Sequence, residues 1–376
     1  MRVGVVGAGQ LARMTHQAAI SLGVEVRYLA SGEDDPAAEV ARFSAVGDPR
    51  DPADLRAFAA GCDVVTFEHE LVDLEVLAGL ERLGVRLRPS SATLRMVADK
   101  AVMRGALAAA GLPVPPFRVV GRPAELDPAV DEFGPVVAVK WARGGYDGRG
   151  VFRAKGPEEA RRVAAPALDR GLAVVVEPWL ALVRELAVLA VRRPGGEVVC
   201  YDPVVSVQQE GMCREVLAPA PVAAATVERA RRLGLAASAA VEAVGVLAVE
   251  IFELAGGELA VNELAARPHN SGHHTIEAAA TSQFENHLRA VLDLPLGAPD
   301  ARVPAAAMVN VIGSDDVTDP RERLAEGLAA DPGAAIHLYG KTPRAGRKLG
   351  HVTVCDHNVD GARARARRVA AALGGA

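Results

Sequence analysis

Cysteine is scarce and poorly spaced for any bridging role. Cys62, Cys200, Cys213 and Cys355 stand far apart with no CxxC pair, which argues against a zinc site or a disulfide framework and for free thiols, mostly in the core. Long apolar runs are missing too. Half of the residues are hydrophobic, yet charge, glycine or proline breaks each stretch well short of the ~20 residues that span a bilayer, so no membrane segment is expected. The opening MRVGVVGAGQ enters a strand with no small-residue cleavage site. A secretory leader is therefore not expected, and a cytoplasmic location is. Neither sign of charge dominates. A formal charge of -5 from 42 basic and 47 acidic residues does not suit a general nucleic-acid binder, but it leaves room for a local basic cluster that meets a small anion.

What is present is rhythm. A chain of 376 residues exceeds one ordinary domain, and ~100 to 200 residues per domain suggests two or three. Up to about residue 95, apolar runs alternate with helical patterns: RVGVVG, a helix through the 10s, VEVRYLA, a helix near 52–60, CDVVTFE, a helix near 73–83, and VRLRP. That alternation is the βαβ signature of a doubly wound parallel sheet. After a break at Pro89, Ser90 and Ser91, a helix from Asp99 to Gly111 leads into the strands VVAVK, VVVEPWL, ELAVLAVR and VVCYDPV, an α+β pattern. A helix over about 226–244 precedes the strand pair LAVEIFEL and ELAVNELA. A smaller tail from about residue 300 carries AAMVNVIG, AIHLYGK and HVTVCD before a last helix.

Gly7-Ala8-Gly9-Gln10-Leu11-Ala12 follows a strand and opens a helix, matching the GxGxxA variant of the dinucleotide fingerprint. In that motif an acid closes the second strand and holds a ribose, whereas this strand closes on Leu29-Ala30-Ser31. Three readings stay open: NAD or FAD binding, a tight turn that packs helix on strand, and amides that receive the phosphate of a nucleotide-like substrate.

Two further patterns carry chemistry. Lys140 ends a strand and leads into Gly144, Gly145, Gly148 and Gly150, a loop able to fold amides over phosphate oxygens while the lysine supplies a point charge. The plain alternative is a flexible turn, and the absence of GxxxxGK[ST] excludes a Walker-type loop. Glu250 and Glu263 lie on consecutive strands joined by a turn at Gly256-Gly257, so a hairpin can bring both carboxylates to one face. Adjacent acids repel unless a cation such as Mg2+ sits between them, with phosphate oxygens completing its shell. Asn262 adds a neutral oxygen; solvated surface acids are the alternative. The nearby His269, His273 and His274 offer a competing metal site, although imidazole suits zinc, copper or iron better than a hard cation.

Several strings together resemble the ATP-grasp ligases, and within them closely the N5-carboxyaminoimidazole ribonucleotide synthases (the ATPase-subunit type of phosphoribosylaminoimidazole carboxylase). They are GAGQLARM at 7–14, TFEHE at 66–70, KWARGGYDGRG at 140–150, VVVEPWL with RELAV at 174–188, NELAARPHNSGHHT at 262–275, and HLYGK with RAGRKLGHVT at 337–353. The resemblance implies an ATP-grasp fold: a doubly wound, Rossmann-like pre-ATP-grasp domain over 1–98, an ATP-grasp domain over 99–298 and a small C-terminal domain over 299–376. It implies ATP and Mg2+ as cofactors, with bicarbonate and 5-aminoimidazole ribonucleotide as the other substrates, and a homodimer. For ATP it implies Lys100, Lys140, Gly145, Tyr146, Asp147, Gly148, Arg149, Gly150, Val151, Glu177, Pro178, Trp179, Leu180, Glu185, Gln208, Asn262 and Glu263. For the metal it implies Glu250, Glu263 and Asn262. For the ribonucleotide it implies Gln10, Leu11, Glu68 or Glu70, Tyr146, Asp147, Arg149, His269, Asn270, Ser271, Lys341, Arg347 and Lys348. Asp147, Arg267 and Lys140 are the expected catalytic residues. Two positions depart from the family: Arg104 replaces a lysine and Gln208 a histidine, which bears on the detail of ATP contact and not on the reaction class. Another ATP-grasp carboxylate–amine ligase, an NAD-linked oxidoreductase and a non-catalytic nucleotide-binding module are the competing readings.

Overall fold

The structure, a computed structural model, describes residues 1–145, 150–314 and 319–375. The first sheet consists of β1 (Arg2–Val6), β2 (Glu25–Ala30), β3 (Ser44–Val46) and β4 (Val64–Phe67) in the order β3-β2-β1-β4, and every pairing is parallel. Helices Gln10–Leu22, Pro52–Ala59 and Leu74–Arg82 return the chain between strands. The two sides of the sheet pack into separate cores, one around Val3, Val5, Tyr28 and Val64, the other around Val6, Leu29, Val65 and Phe67. VRLRP does not form the expected strand. It touches β4 through a single parallel bridge, Leu87 to Val65, and the next residue but one, Pro89, has no N–H to continue a ladder.

The second sheet comprises β5 (Arg118–Val120), β6 (Val136–Trp141), β7 (Val151–Lys155) and β8 (Val174–Pro178), in the antiparallel order β5-β8-β6-β7. Side chains alternate across it. Val137, Val139, Val174 and Val176 enter the core beneath helices Leu126–Phe133 and Gly156–Leu168. Their neighbours Ala138, Lys140, Val175 and Glu177 therefore turn to the opposite face.

The third sheet holds β9 (Leu182–Arg192), β10 (Val198–Cys200), β11 (Val204–Gln209), β12 (Met212–Ala218), β13 (Gly245–Leu254), β14 (Leu259–Ala265), β15 (Ala305–Ile312), β16 (Ala334–Leu338) and β17 (Lys348–Asp356). Its order is β14-β13-β9-β11-β12-β15-β17-β16, with β10 beside β9. The C-terminal strands thus continue the central sheet, because residues 306–309 of β15 pair with residues 215–218 of β12. Leu186, Val188, Leu247, Val249 and Ile251 fill the core shared with helices Ala224–Val241 and Val359–Ala372. By the same alternation Glu185, Ala187, Ala248, Glu250 and Phe252 occupy the other face of β9 and β13. Lys140 of the second sheet lies over the Phe252 ring of the third, 5.6 Å from its centre, so the two alternate faces meet and form a cleft. Among the described residues, no helix is long and apolar enough to cross a membrane, and all four cysteines are free thiols.

Candidate functional site

The cleft begins with the hairpin of β13 and β14, in which Glu250 and Glu263 are direct register partners. The next pair is Ile251 with Val261, so Asn262 is the extra residue of a bulge. A bulge re-aims side chains, and here both members of the sequence pair Asn262-Glu263 reach the cations of the cleft. The Glu263 carboxylate accepts from Lys100 Nζ at 2.5 Å, and Asn262 Oδ1 accepts from Lys140 Nζ at 3.0 Å.

Lys100 is placed by its neighbour. Asp99 caps helix Lys100–Ala109, its Oδ1 accepting the Ala101 and Val102 amides at 2.9 and 3.2 Å, while its Oδ2 takes Arg143 Nε of the glycine loop at 2.7 Å. A lysine at a helix N-terminus opposes the macrodipole, and Glu263 offsets that. At the loop's far edge Gly150 has φ +76, and a Cβ there would meet Gly145 Cα and Trp141 at 3.3 Å. Only glycine fits such a turn without strain.

One turn along the same helix lies Arg104, 1% exposed. Its Nε donates to Glu177 Oε1 at 2.6 Å, and its other nitrogens donate to the Val261 carbonyl at 3.1 Å, the Asn262 carbonyl, and Asn262 Oδ1 at 3.2 Å. Lys140 meets the other Glu177 oxygen at 2.6 Å. A bidentate guanidinium can hold two sheets at once, which an ammonium cannot do as well. The departure noted at Arg104 therefore concerns a latch between β8 and β14. Burial alone would raise the Glu177 carboxyl, but Lys140 and Arg104 outweigh it and hold it below the ordinary value. Burial likewise lowers the Lys140 ammonium, although Glu177 opposes the shift.

The acidic pair splits in character. Burial, then the charges of Glu263 and Glu185, push the Glu250 carboxyl up to about 8. Burial favours the same for Glu263, but Lys100 prevails and keeps it below its ordinary value. Glu185, also desolvated, is raised to about 7. Two carboxylates this close, one retaining its proton, suit a hard divalent cation whose remaining ligands are phosphate oxygens. The Asn262 oxygen suits it less, since two cations already engage it. Among the described residues no group of three or more His, Cys, Asp or Glu gathers as a metal site.

From Glu250 the polar seam continues. His269 Nε2 lies 3.5 Å from Glu250 Oε1, and its Nδ1 is 2.9 Å from Ser271 Oγ. Arg267 Nε donates to both Glu70 oxygens at 3.0 and 3.2 Å. Two residues before Glu70, Glu68 fills the N-terminus of helix Gln10–Leu22. Its carboxylate accepts the amides of Gly9, of Leu11 at 3.0 Å and of Ala12 at 3.4 Å. At those amides, where the other readings put a dinucleotide or a substrate phosphate, the anion in the structure is the chain's own carboxylate. Leu11 keeps its amide on Glu68 and packs its side chain with Met14, Phe284 and Tyr339. Gln10 faces outward, and its Oε1 accepts from Lys341 Nζ at 2.5 Å, which brings the C-terminal tail to the glycine turn.

Pro178 ends β8, and Trp179 is exposed at the rim with Arg153 stacked 5.2 Å from its ring centre; Leu180 follows, half-buried. Gln208 donates to Ser206 Oγ at 2.8 Å within its own hairpin. Arg347 donates to the Thr342 carbonyl at 3.0 Å, and Lys348 opens β17. Asn270 and Ser271 start a 3-10 turn. Gly145 and Val151 flank the loop, while Tyr146, Asp147, Gly148 and Arg149 lie outside the described residues. Sequence reasoning missed the latch formed by Arg104 and the capping by Glu68. A cation one helical turn after Lys100 was a signal for the first; the second had none, because it depends on a contact across 59 residues.

Three family models match along the chain. A ribonucleotide synthetase preATP-grasp domain matches residues 1–98, an ATP-grasp domain residues 105–284, and a phosphoribosylaminoimidazole carboxylase C-terminal domain residues 306–365. The N5-carboxyaminoimidazole ribonucleotide synthase of Mycobacterium tuberculosis is 48% identical over 360 residues, 95% of this chain and 84% of its own length. Two structures of the Aspergillus clavatus synthase cover 99% of this chain and 98% of their own. The one complexed with ATP has TM-score 0.91 at 34% identity, and the one with ADP and 5-aminoimidazole ribonucleotide has 0.90 at 33%.

The carboxyls of Glu250 and Glu185 make stability depend on pH with a definite sign. From about pH 6.5 to about pH 8.5 the unfolded chain carries both ionised, whereas the ligand-free folded state still binds protons on them, so stability falls as pH rises. The buried histidines His274 and His287, lowered to about 4, act below that window and in the opposite sense. Melting temperatures in metal-free buffer are expected to decline across the window, and to decline less in Glu250→Gln. A wild-type profile that is flat, or parallel to the variant's, rejects the assignment.

Proposed function

The chain belongs to the N5-carboxyaminoimidazole ribonucleotide synthase family of ATP-grasp ligases, and from that premise we propose how its cleft works. It is an ATP-dependent carbon–nitrogen ligase of purine biosynthesis. It carboxylates 5-aminoimidazole ribonucleotide with bicarbonate, giving the N5-carbamate, ADP and phosphate. The carrying observation is the polar seam, which runs from Glu177 and Lys140 through Asn262, Glu263 and Glu250 to His269, and at Arg267 meets Glu70, with Glu68, Gln10 and Lys341 beyond.

The end between the second and third sheets suits ATP. Lys100 and Lys140 face the phosphates, Trp179 and the segment from Glu177 to Leu180 flank the base, and Glu185 meets the ribose. Glu250 and Glu263 would hold Mg2+, which would supply charge neutralisation to the phosphate oxygens. Bicarbonate is a poor electrophile, so activation by the γ-phosphate as carboxyphosphate comes first, and the substrate amine then receives the carboxyl group. The protein's share is alignment and charge stabilisation. Arg267, held by Glu70, presents a fixed guanidinium to the developing anion. Asp147 is the proposed acceptor of the amine proton, and the glycine loop that carries it excludes water. His269, Asn270, Tyr146, Arg149 and the basic group Lys341, Arg347 and Lys348 hold the ribonucleotide, with Lys341 nearest the glycine turn.

The latch by Arg104 bears on the choice of nucleotide residues: each Glu177 oxygen already pairs with a cation, Arg104 or Lys140, so Glu177 serves ATP by holding Lys140. We further propose folding units at 1–98, 99–298 and 299–376, supported by family matches that begin and end near those limits. A homodimer is proposed on the general preference of soluble enzymes. A cytoplasmic location is proposed on the reaction's use of ATP and on the four free thiols.

Purified protein with labelled bicarbonate, ATP and 5-aminoimidazole ribonucleotide is expected to form labelled carbamate with one ADP per carboxylation; ADP release without labelled product would refute the ligase assignment. Lys341→Ala separates the two ends of the seam. Loss of a charge-assisted contact should raise the KM for the ribonucleotide roughly ten- to a hundredfold and the KM for ATP less than about twofold. If neither constant moves, Lys341 is ordinary surface.

A further inference from the structure

His269 closes the stretch 266–269 between strand β14 and the 3-10 turn Asn270–Gly272, and the backbone there has little regular structure to hold it. One side chain does so. Gln283, 0% exposed, is the first residue of helix Gln283–Val291, which Ser282 caps. Its Oε1 accepts the His269 amide at 2.9 Å and its Nε2 donates to the His269 carbonyl at 2.7 Å. Because one backbone group donates and the other accepts, the orientation of the amide is determined: a flipped amide would set oxygen against oxygen.

The second proton of Nε2 points to His273 Nδ1 at 3.2 Å. An amide nitrogen cannot accept, so His273 Nδ1 must, which makes His273 the neutral tautomer protonated at Nε2. Burial also holds this imidazole well below its ordinary value. The Gln283 amide N–H donates to Thr275 Oγ1 at 2.9 Å, and that hydroxyl donates to the Gly272 carbonyl at 2.6 Å. A Cβ on Gly272 would lie 2.6 Å from Gln283 Oε1 and 2.3 Å from Leu189, so the turn closes directly against the glutamine.

The same helix meets the other parts of the seam. Phe284 packs with Leu11, Met14 and Tyr339, and His287 Nε2 lies 2.9 Å from Thr66 Oγ1 at the start of the segment that carries Glu68 and Glu70.

We propose that Gln283 is the positioning residue of the ribonucleotide end: by clasping both backbone groups of His269 it sets that ring between Glu250 and the substrate. The inference rests on the functional reading above. Gln283 touches no reacting atom and acts through His269. Removing the clasp takes the acceptor from the half-buried His269 amide and leaves its carbonyl to the Gly272 amide at 3.0 Å, while the sheets that hold the nucleotide keep their contacts.

Gln283→Met, of similar length without the amide, tests this under steady-state turnover with each substrate varied in turn. The expected result is a KM for 5-aminoimidazole ribonucleotide raised about tenfold or more, a KM for ATP changed less than about twofold, and a cooperative melt. Unchanged constants, or equal changes in both, overturn the proposal, since a merely structural residue would not discriminate between the substrates. Should Gln283→Met fail to fold, Gln283→Asn, whose amide falls one methylene short of His269, is read by the same criteria. If the wild-type protein carboxylates the ribonucleotide and the variant shows no such split, only this inference fails. If the wild type does not carboxylate it, the functional reading fails first.

Discussion

Two carboxylates, Glu250 and Glu263, face each other across neighbouring strands, and like charges so placed destabilise a sheet unless something compensates. Three cations of the cleft answer that constraint. Lys100 is delivered to Glu263 by a helix whose cap, Asp99, also ties down the glycine loop. Lys140 and Arg104 neutralise Glu177 next to it and steady Asn262 at the bulge. What remains uncompensated is Glu250, whose carboxyl keeps its proton up to about 8. A site with this residual demand for positive charge suits a divalent cation that arrives with a polyphosphate.

The parts of this arrangement that were legible in the sequence are local. Period-two alternation located Lys140 at a strand end and Glu250 and Glu263 on a hairpin. The βαβ rhythm of the first hundred residues gave the parallel sheet. What was not legible depends on distance along the chain. The three-residue strand β3 has exposed side chains throughout and so lacks any alternation to read. The continuation of the central sheet into β15, β17 and β16 is a pairing between segments about ninety residues apart, and no local pattern encodes it.

The glycine turn shows how a motif can be correct in geometry and misleading in ligand. Gly7 and Gly9 do create the close approach that the fingerprint implies, and a Cβ on Gly9 would lie 2.5 Å from Glu68 Oε1. The approaching group is a side-chain carboxylate rather than a pyrophosphate. The helix dipole is satisfied internally, and Gln10, just beyond it, is left to meet Lys341. An N-terminal glycine motif, a central acidic run and a C-terminal lysine thereby converge on one cleft, although each belongs to a different part of the chain.

The account stands on the acidic hairpin as the seat of the metal–nucleotide complex. Electron paramagnetic resonance of Mn2+, titrated into the protein with a non-hydrolysable ATP analogue, addresses it without turnover. The expected result is protein-dependent Mn2+ binding beyond that of the nucleotide alone, weakened about tenfold or more in Glu263→Gln while calorimetry still detects the analogue bound. Equal Mn2+ affinity in the wild type and the variant would contradict the account.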